Sequence, residues 1–220
     1  MRGEPLSSRQ AESSTRERLL EAAIGLSLER GFADTTVAEV CERAELTKGA
    51  FFHYFTGKEA MGKAVLEQWI ANGKANYGAA PFWELADPLE RLYGYIDFTA
   101  ELVRTGPCGC LVGIYSQELW QSQPQLRADC DAAFTAWADG LSQLFEDAKV
   151  RHAPAATLDP LSLAYHFIAV FEGGLILARA YKRPEILGEH LEHFKRYVQS
   201  LFEAELTGTK RRKEARRAKV

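Results

Sequence analysis

The sequence predicts an all-α protein, and three observations lead there. Apolar residues recur at i, i+3, i+4 and i+7 in one segment after another. Helix-start signals stand before those segments: three Ser/Thr residues each followed three positions later by Glu, and two Asp-Pro pairs. No run shows convincing strand alternation, and there is no internal repeat. The expected architecture is a small three-helix N-terminal unit followed by a larger helical domain.

The first helix is expected to open at the capping box Ser14-Thr15-Arg16-Glu17, after a polar, Ser-rich stretch over 1–13 expected to be disordered. Leu20, Ala23, Ile24, Ser27 and Leu28 share one face, and Gly31 supplies the stop. Thr36 to Glu39 form the second box, ahead of Val37, Val40, Cys41 and Ala44. That helix is too short to persist alone. Glu45-Leu46-Thr47 separate it from the aromatic run 48–55, and Thr56 to Glu59 open a longer helix reaching about Asn76. Two short helices joined by a tight turn and flanked by helices describe a helix-turn-helix unit.

Downstream, Asp87-Pro88 caps a helix that breaks at Gly106-Pro107. Residues 110–120 form another, and Pro124 starts a helix to about Lys149. Asp159-Pro160 caps a long apolar helix to about Tyr181, and Pro184 restarts the chain into a last helix ending near Leu206. The division expected is 14–62, 63–206, and a basic, disordered tail over 207–220.

Composition narrows the function classes. Of 220 residues 46% are apolar and 26% charged, as in ordinary globular proteins. The N-terminus is polar through Arg18, so no secretory signal is expected. The apolar stretch 161–181 contains His166, Glu172 and Arg179, which favours a buried helix over a membrane span. Four cysteines form no CxxC pair or disulfide framework, consistent with reduced thiols in the cytoplasm. Net charge is −3, but the tail from Lys210 holds seven Lys/Arg against one Glu, leaving −9 for the remainder. Nucleic-acid binding must therefore rest on the placement of a few cations.

The segment Thr36-Val37-Ala38-Glu39-Val40, then Leu46 to Phe55 (LTKGAFFHYF), then Lys58-Glu59-Ala60-Met61, resembles the DNA-binding domain of the TetR family. The resemblance covers about 14–62. It implies a dimer that binds double-stranded operator DNA and leaves it when the C-terminal domain takes up a small-molecule effector. It also implies that the last two long helices pair with their copies in a four-helix bundle. A repressor is the expected role. The alternatives are an activator of the same fold or, with no positive support, an all-helical small-molecule enzyme. No cofactor, metal or membrane partner is implied.

The physical chemistry of the motif agrees. A helix entering the major groove needs a small or bonding exposed face. Gly49 and Ala50 permit close approach, and Thr47 and Lys48 suit base edges or phosphates. Phe51 and Phe55, four apart, should face inward, with Phe52, His53 and Tyr54 fanning outward. Tyr54 and Lys58 suit phosphate anchoring, as does Thr36 across the groove. Ala50 often carries a hydroxyl in the family and Phe52 is often Tyr, so apolar contacts should weigh more here. The DNA-facing set is Thr36, Thr47, Lys48, Gly49, Ala50, Phe52, His53, Tyr54 and Lys58.

Aromatics are dense between 69 and 171, and most must be core. Tyr95, Phe98, Tyr115, Trp120, Trp137 and His166 are the candidate effector residues, each offering a rigid wall or a polar tip. Cys108 and Cys110 are expected to be structural thiols, although some relatives with a similar Gly-Cys-Leu segment sense electrophiles. His190 and His193 lack the spacing of a metal motif and read as a solvated face. For the dimer, Ile186 and Phe202 are expected to extend the apolar face, and a charge at Leu175 or Phe194 to break the dimer or unfold the chain.

Overall fold

The computed structural model describes residues 8–106, 108–119 and 121–217, with side chains from 15 to 203 in those segments. Every regular element among them is helical: α1 Ser8–Arg30, α2 Val37–Arg43, α3 Lys48–Tyr54, α4 Lys58–Gly78, a 3-10 turn Pro81–Glu84, α5 Pro88–Thr105, α6 Leu111–Leu119, α7 Pro124–His152, α8 Pro160–Tyr181 and α9 Glu185–Arg217. The all-α expectation holds.

The chain forms two compact units, Met1–Tyr77 with Gly109–Ala133, and Gly78–Cys108 with Phe134–Val220. Helix α6 and the start of α7 group with the helix-turn-helix.

In the first unit, Gly31 ends α1 at φ +92°, a conformation that disfavours a side chain. Thr36 caps α2 through a complete capping box: its hydroxyl accepts from the Glu39 N–H, and the Glu39 carboxylate accepts from the Thr36 N–H at 3.0 Å. Glu45 turns the chain at φ 53°, and Thr47 caps α3 by accepting from the Ala50 N–H at 3.1 Å. Leu19, Leu20, Ala23, Phe32, Val40, Phe51, Phe55, Met61, Val65 and Tyr115 form the core.

In the second unit, Asp87 caps α5 by accepting from Leu89 and Glu90 N–H at 2.9 and 3.2 Å. Asp159 caps α8 likewise. The buried face of α8 (Leu163, Phe167, Ile168, Phe171, Leu175, Ala178) lies within its own unit, as do Leu187, Leu191, Phe194 and Val198 of α9. Gly174 permits the close approach of α8 and α9, because a Cβ there would stand 2.6 Å from Leu187 Cδ1.

Two boundaries and one packing face differ from expectation. Helix α1 starts at Ser8, so Ser14 is inside it and the first box is no start signal. The residues ahead of Ser14 include Arg, Gln, Ala and Glu, all good helix formers. Residues 1–7 lie outside the described residues. Helix α9 continues to Arg217 through the Lys/Arg/Ala-rich tail, again because those residues favour helix. Ile186 and Phe202, expected to extend the apolar face offered to a second copy, are already buried within the chain.

Asp87 also lies 2.8 Å from His152 Nε2 at the end of α7, so one carboxylate ties two helix ends together. Burial pushes its carboxyl up, but the Glu90 and Leu89 N–H groups and His152 outweigh this, and the net shift is below the ordinary 3.8. A depressed carboxyl contributes stability above its unfolded-state value and loses it as pH falls through the folded one. Asp87→Ala should therefore cost about 1 kcal/mol at neutral pH. The gap to wild type should narrow at pH 3, as read from urea midpoints.

Candidate nucleic-acid interface

Helix α3 is held by one side and presents the other. Phe51 is fully buried and packs on Phe55 with ring centroids 5.4 Å apart, while Phe52, His53, Lys48 and Gly49 are exposed. The expected division of the aromatic run is thus observed. Phe52 meets the Phe51 ring edge-on at 5.2 Å, and His53 meets Tyr54 at 4.9 Å. Tyr54 and Ala50 are half-buried. The Thr47 hydroxyl serves the α3 backbone, as the Thr36 hydroxyl serves that of α2. Both sit at helix starts, exposed to solvent. The Thr36 hydroxyl and Arg30 both donate to the Glu39 carboxylate, whose pKa is lowered chiefly by Thr36.

Lys58 is placed differently from the sequence expectation. Its ammonium donates to the Ala33 carbonyl at 2.7 Å and lies 4.8 Å from the Phe32 ring centroid. Burial pulls its pKa below the ordinary value, with Glu118, Asp34 and Glu39 acting the other way. The Ala33 N–H in turn donates to Glu118 Oε2 of α6 at 2.9 Å. The Ala33 backbone, in the turn between α1 and α2, is thus gripped from both sides. Gly31 makes this possible: a Cβ there would fall 2.0 Å from Glu118 Oε1. Gly62 likewise makes room for the Phe32 ring. A second tie runs from Gln123 Nε2 to Glu59 Oε1 at 2.8 Å. Nothing in the local sequence around Glu118 pointed to this role, because its partner lies 85 positions away.

Of the effector candidates, the structure brings three together in the second unit. Trp137 Nε1 donates to the Tyr95 hydroxyl at 2.6 Å, and Phe82 contacts both Tyr95 and Phe98, with centroids 5.5 and 5.8 Å away. Phe167 and Phe171 close the cluster around Trp137. The sequence reading had left Phe82, Phe167 and Phe171 among the core aromatics. His166 is exposed on α8 beside Phe194 and Tyr197, outside this cluster. Tyr115 belongs to the first unit, fully buried with its ring 4.8 Å from Phe32. Trp120 lies outside the described residues. None of the four cysteines is in a disulfide; Cys41, Cys110 and Cys130 are buried and Cys108 is half-buried.

Two family models match the chain. Residues 19–65 match the family described as bacterial regulatory proteins, tetR family, and residues 88–194 match the tetracyclin repressor-like C-terminal domain. The chain is 29% identical over 200 residues to the HTH-type transcriptional repressor NemR of Escherichia coli K12, covering 85% of this chain and 95% of that one. It is 32% identical over 161 residues to the HTH-type transcriptional repressor KstR2 of Mycobacterium tuberculosis H37Rv, covering 71% of this chain and 76% of the relative. A crystal structure of a regulatory protein TetR from Rhodobacter sphaeroides superposes with a TM-score of 0.74 at 28% identity, covering 83% of this chain and 97% of that one.

The grip on Ala33 can be tested by unfolding. Glu118→Ala should destabilise the chain by about 1 kcal/mol, because it leaves the Ala33 N–H without its acceptor. Glu118→Gln, which retains an acceptor oxygen, should recover most of that in urea denaturation. Equal losses in the two variants would count against the hydrogen bond.

Proposed function

The chain belongs to the TetR family of bacterial transcriptional regulators, and from that premise we propose that it is a dimeric, effector-released repressor acting in the cytoplasm. The observation that carries DNA binding is the exposed face of α3, Lys48, Gly49, Phe52 and His53, standing on buried Phe51 and Phe55. A short helix braced this way and bare on its outer side suits a major groove. Lys48 reaches a base edge or phosphate, Tyr54, Thr36 and Thr47 flank it, and Ala50 keeps the backbone close to the DNA. The internal bonds of Lys58 favour a positioning role for it, in place of the phosphate anchor suggested by sequence. A gel-shift with fragments surrounding the chain's own gene tests the reading. Lys48→Ala should weaken the preferred fragment by about 1–3 kcal/mol if it reads a base, and other fragments far less.

The effector site is proposed around Tyr95, Phe98 and Trp137, where Phe82 and Phe167 add aromatic walls. A small molecule that co-purifies and dissolves the DNA complex would identify the effector. Trp137→Ala should then raise the concentration needed for release while leaving operator affinity intact.

Dimerisation is proposed through the outer faces of α8 and α9. Tyr165 is 55% exposed, Ile176 51% and Tyr181 66%, and Leu161, Leu177 and Tyr197 are exposed as well. Gly173, with open space around its Cβ position, leaves room for a second backbone. Leu175 and Phe194 are buried within the chain, so a charge there would unfold it and is the wrong test. Ile176→Glu should instead give a folded monomer by sedimentation at micromolar concentration, and it should lose operator binding. A dimer that persists in this variant would overturn the interface.

A further inference from the structure

On the outer side of α3 the hydrogen-bonding side chains are Lys48 at its start and His53 near its end, and the stretch between them offers none. The Thr47 oxygen accepts from the Ala50 N–H, Gly49 has no side chain, and Ala50 offers a methyl. A Cβ at Gly49 would meet nothing closer than Thr47 Oγ1 at 3.6 Å, so the backbone there is open to an approaching surface. The dominant feature is Phe52, four residues after Lys48 and three after Gly49, and so on the same helical side.

Phe52 stands out in its unit. Among the described residues, the large hydrophobic side chains left exposed all lie in the second unit except Phe52, which is 57% exposed. Its ring is braced edge-on by the buried Phe51 ring, at 87° and 5.2 Å, so it projects from a fixed base. Burying an exposed aromatic ring is favourable, so a partner that covers this one gains from it. In the major groove the apolar group on offer is the thymine C5-methyl.

Resting on the DNA-binding reading above, we propose that Phe52 is a specificity-determining residue that reads a thymine in each operator half-site through its 5-methyl group. The contact is apolar and needs no hydroxyl at position 52. It discriminates thymine from cytosine, which lacks the methyl, at a position where no side-chain hydrogen bond is made.

Deoxyuridine gives the direct test, because it keeps the pairing and the O4 acceptor of thymine and removes only the methyl. Preferred duplexes are first selected from a randomised pool with the wild-type chain, and each thymine is then replaced singly. At one thymine per half-site the wild type should lose roughly fourfold in affinity, the worth of one buried methyl. Phe52→Ala should bind the thymine and deoxyuridine duplexes equally, and Phe52→Leu should retain part of the discrimination. Helical content and dimer mass should not change, since the side chain is exposed. If the wild type tolerates deoxyuridine everywhere, or Phe52→Ala still discriminates at the same position, the assignment is overturned while DNA binding stands. A wild-type chain that selects no duplex at all overturns the DNA-binding reading, and this assignment with it.

Discussion

Two helices of seven residues each cannot hold themselves in water, and that constraint governs the first unit. Helices α2 and α3 exist because their inner sides are covered. Val40 and Cys41 of α2 and Phe51 of α3 are buried, and Phe55 continues the α3 contact past the helix end. With the inner side fully used, the outer side is released from any packing duty. It can carry a lysine, a glycine and an exposed aromatic ring without penalty to the fold. Packing therefore occupies one side of this short helix and leaves the other exposed, and Phe51 and Phe52 stand on either side of the divide.

The same unit shows how a nearby helix becomes part of the reading head. Helix α2 must be aimed as well as formed, and its aim depends on the turn after α1. That turn is fixed by two charged side chains acting on the N–H and C=O of a single residue: Glu118 accepts from Ala33 and Lys58 donates to it. Charge-assisted bonds of this kind are shorter and stronger than neutral ones. Glu118 belongs to α6 and Lys58 opens α4, so side chains from two helices meet at the backbone of one residue in the turn before α2.

Most of the fold was legible because helix starts are local chemistry. Thr36, Asp87 and Asp159 cap the helices that follow them as their sequence signals indicate, while the cap that Thr47 gives α3 was not read from the sequence. Helix ends were less legible where composition and punctuation disagree. The tail past Leu206 reads as a charge run, yet Lys, Arg and Ala are also strong helix formers, and α9 continues to Arg217. The inward and outward sides of α3 followed from the four-residue spacing of Phe51 and Phe55. Contacts between distant segments did not follow. Tyr115 looks like a pocket aromatic in sequence, but it packs on Phe32 of the helix-turn-helix unit, and no periodicity could say so. Lys58 looks like an anion anchor because it opens a helix, and only the position of Ala33 shows where its ammonium goes.

Helix α8 illustrates how one segment satisfies two demands at once. It is 22 residues long and apolar enough, by length and composition, to cross a membrane. A helix that is apolar on all sides must be covered on all sides. Its own unit covers one side, and 39% of its most apolar window is buried there. The adjacent glycines mark the division. Gly174 sits tight against Leu187 of α9, whereas Gly173 faces open space, as do the rings of Tyr165 and Tyr181 and the chain of Ile176. His166 on that outer side packs against Phe194 and Tyr197, which ties part of it back to α9. A membrane would demand an unbroken apolar outer side. A second copy of the chain tolerates histidine, tyrosine hydroxyls and Arg179, because an interface can be polar at its rim and apolar at its centre. The residue types on the outer side of α8 therefore fit a protein partner better than lipid.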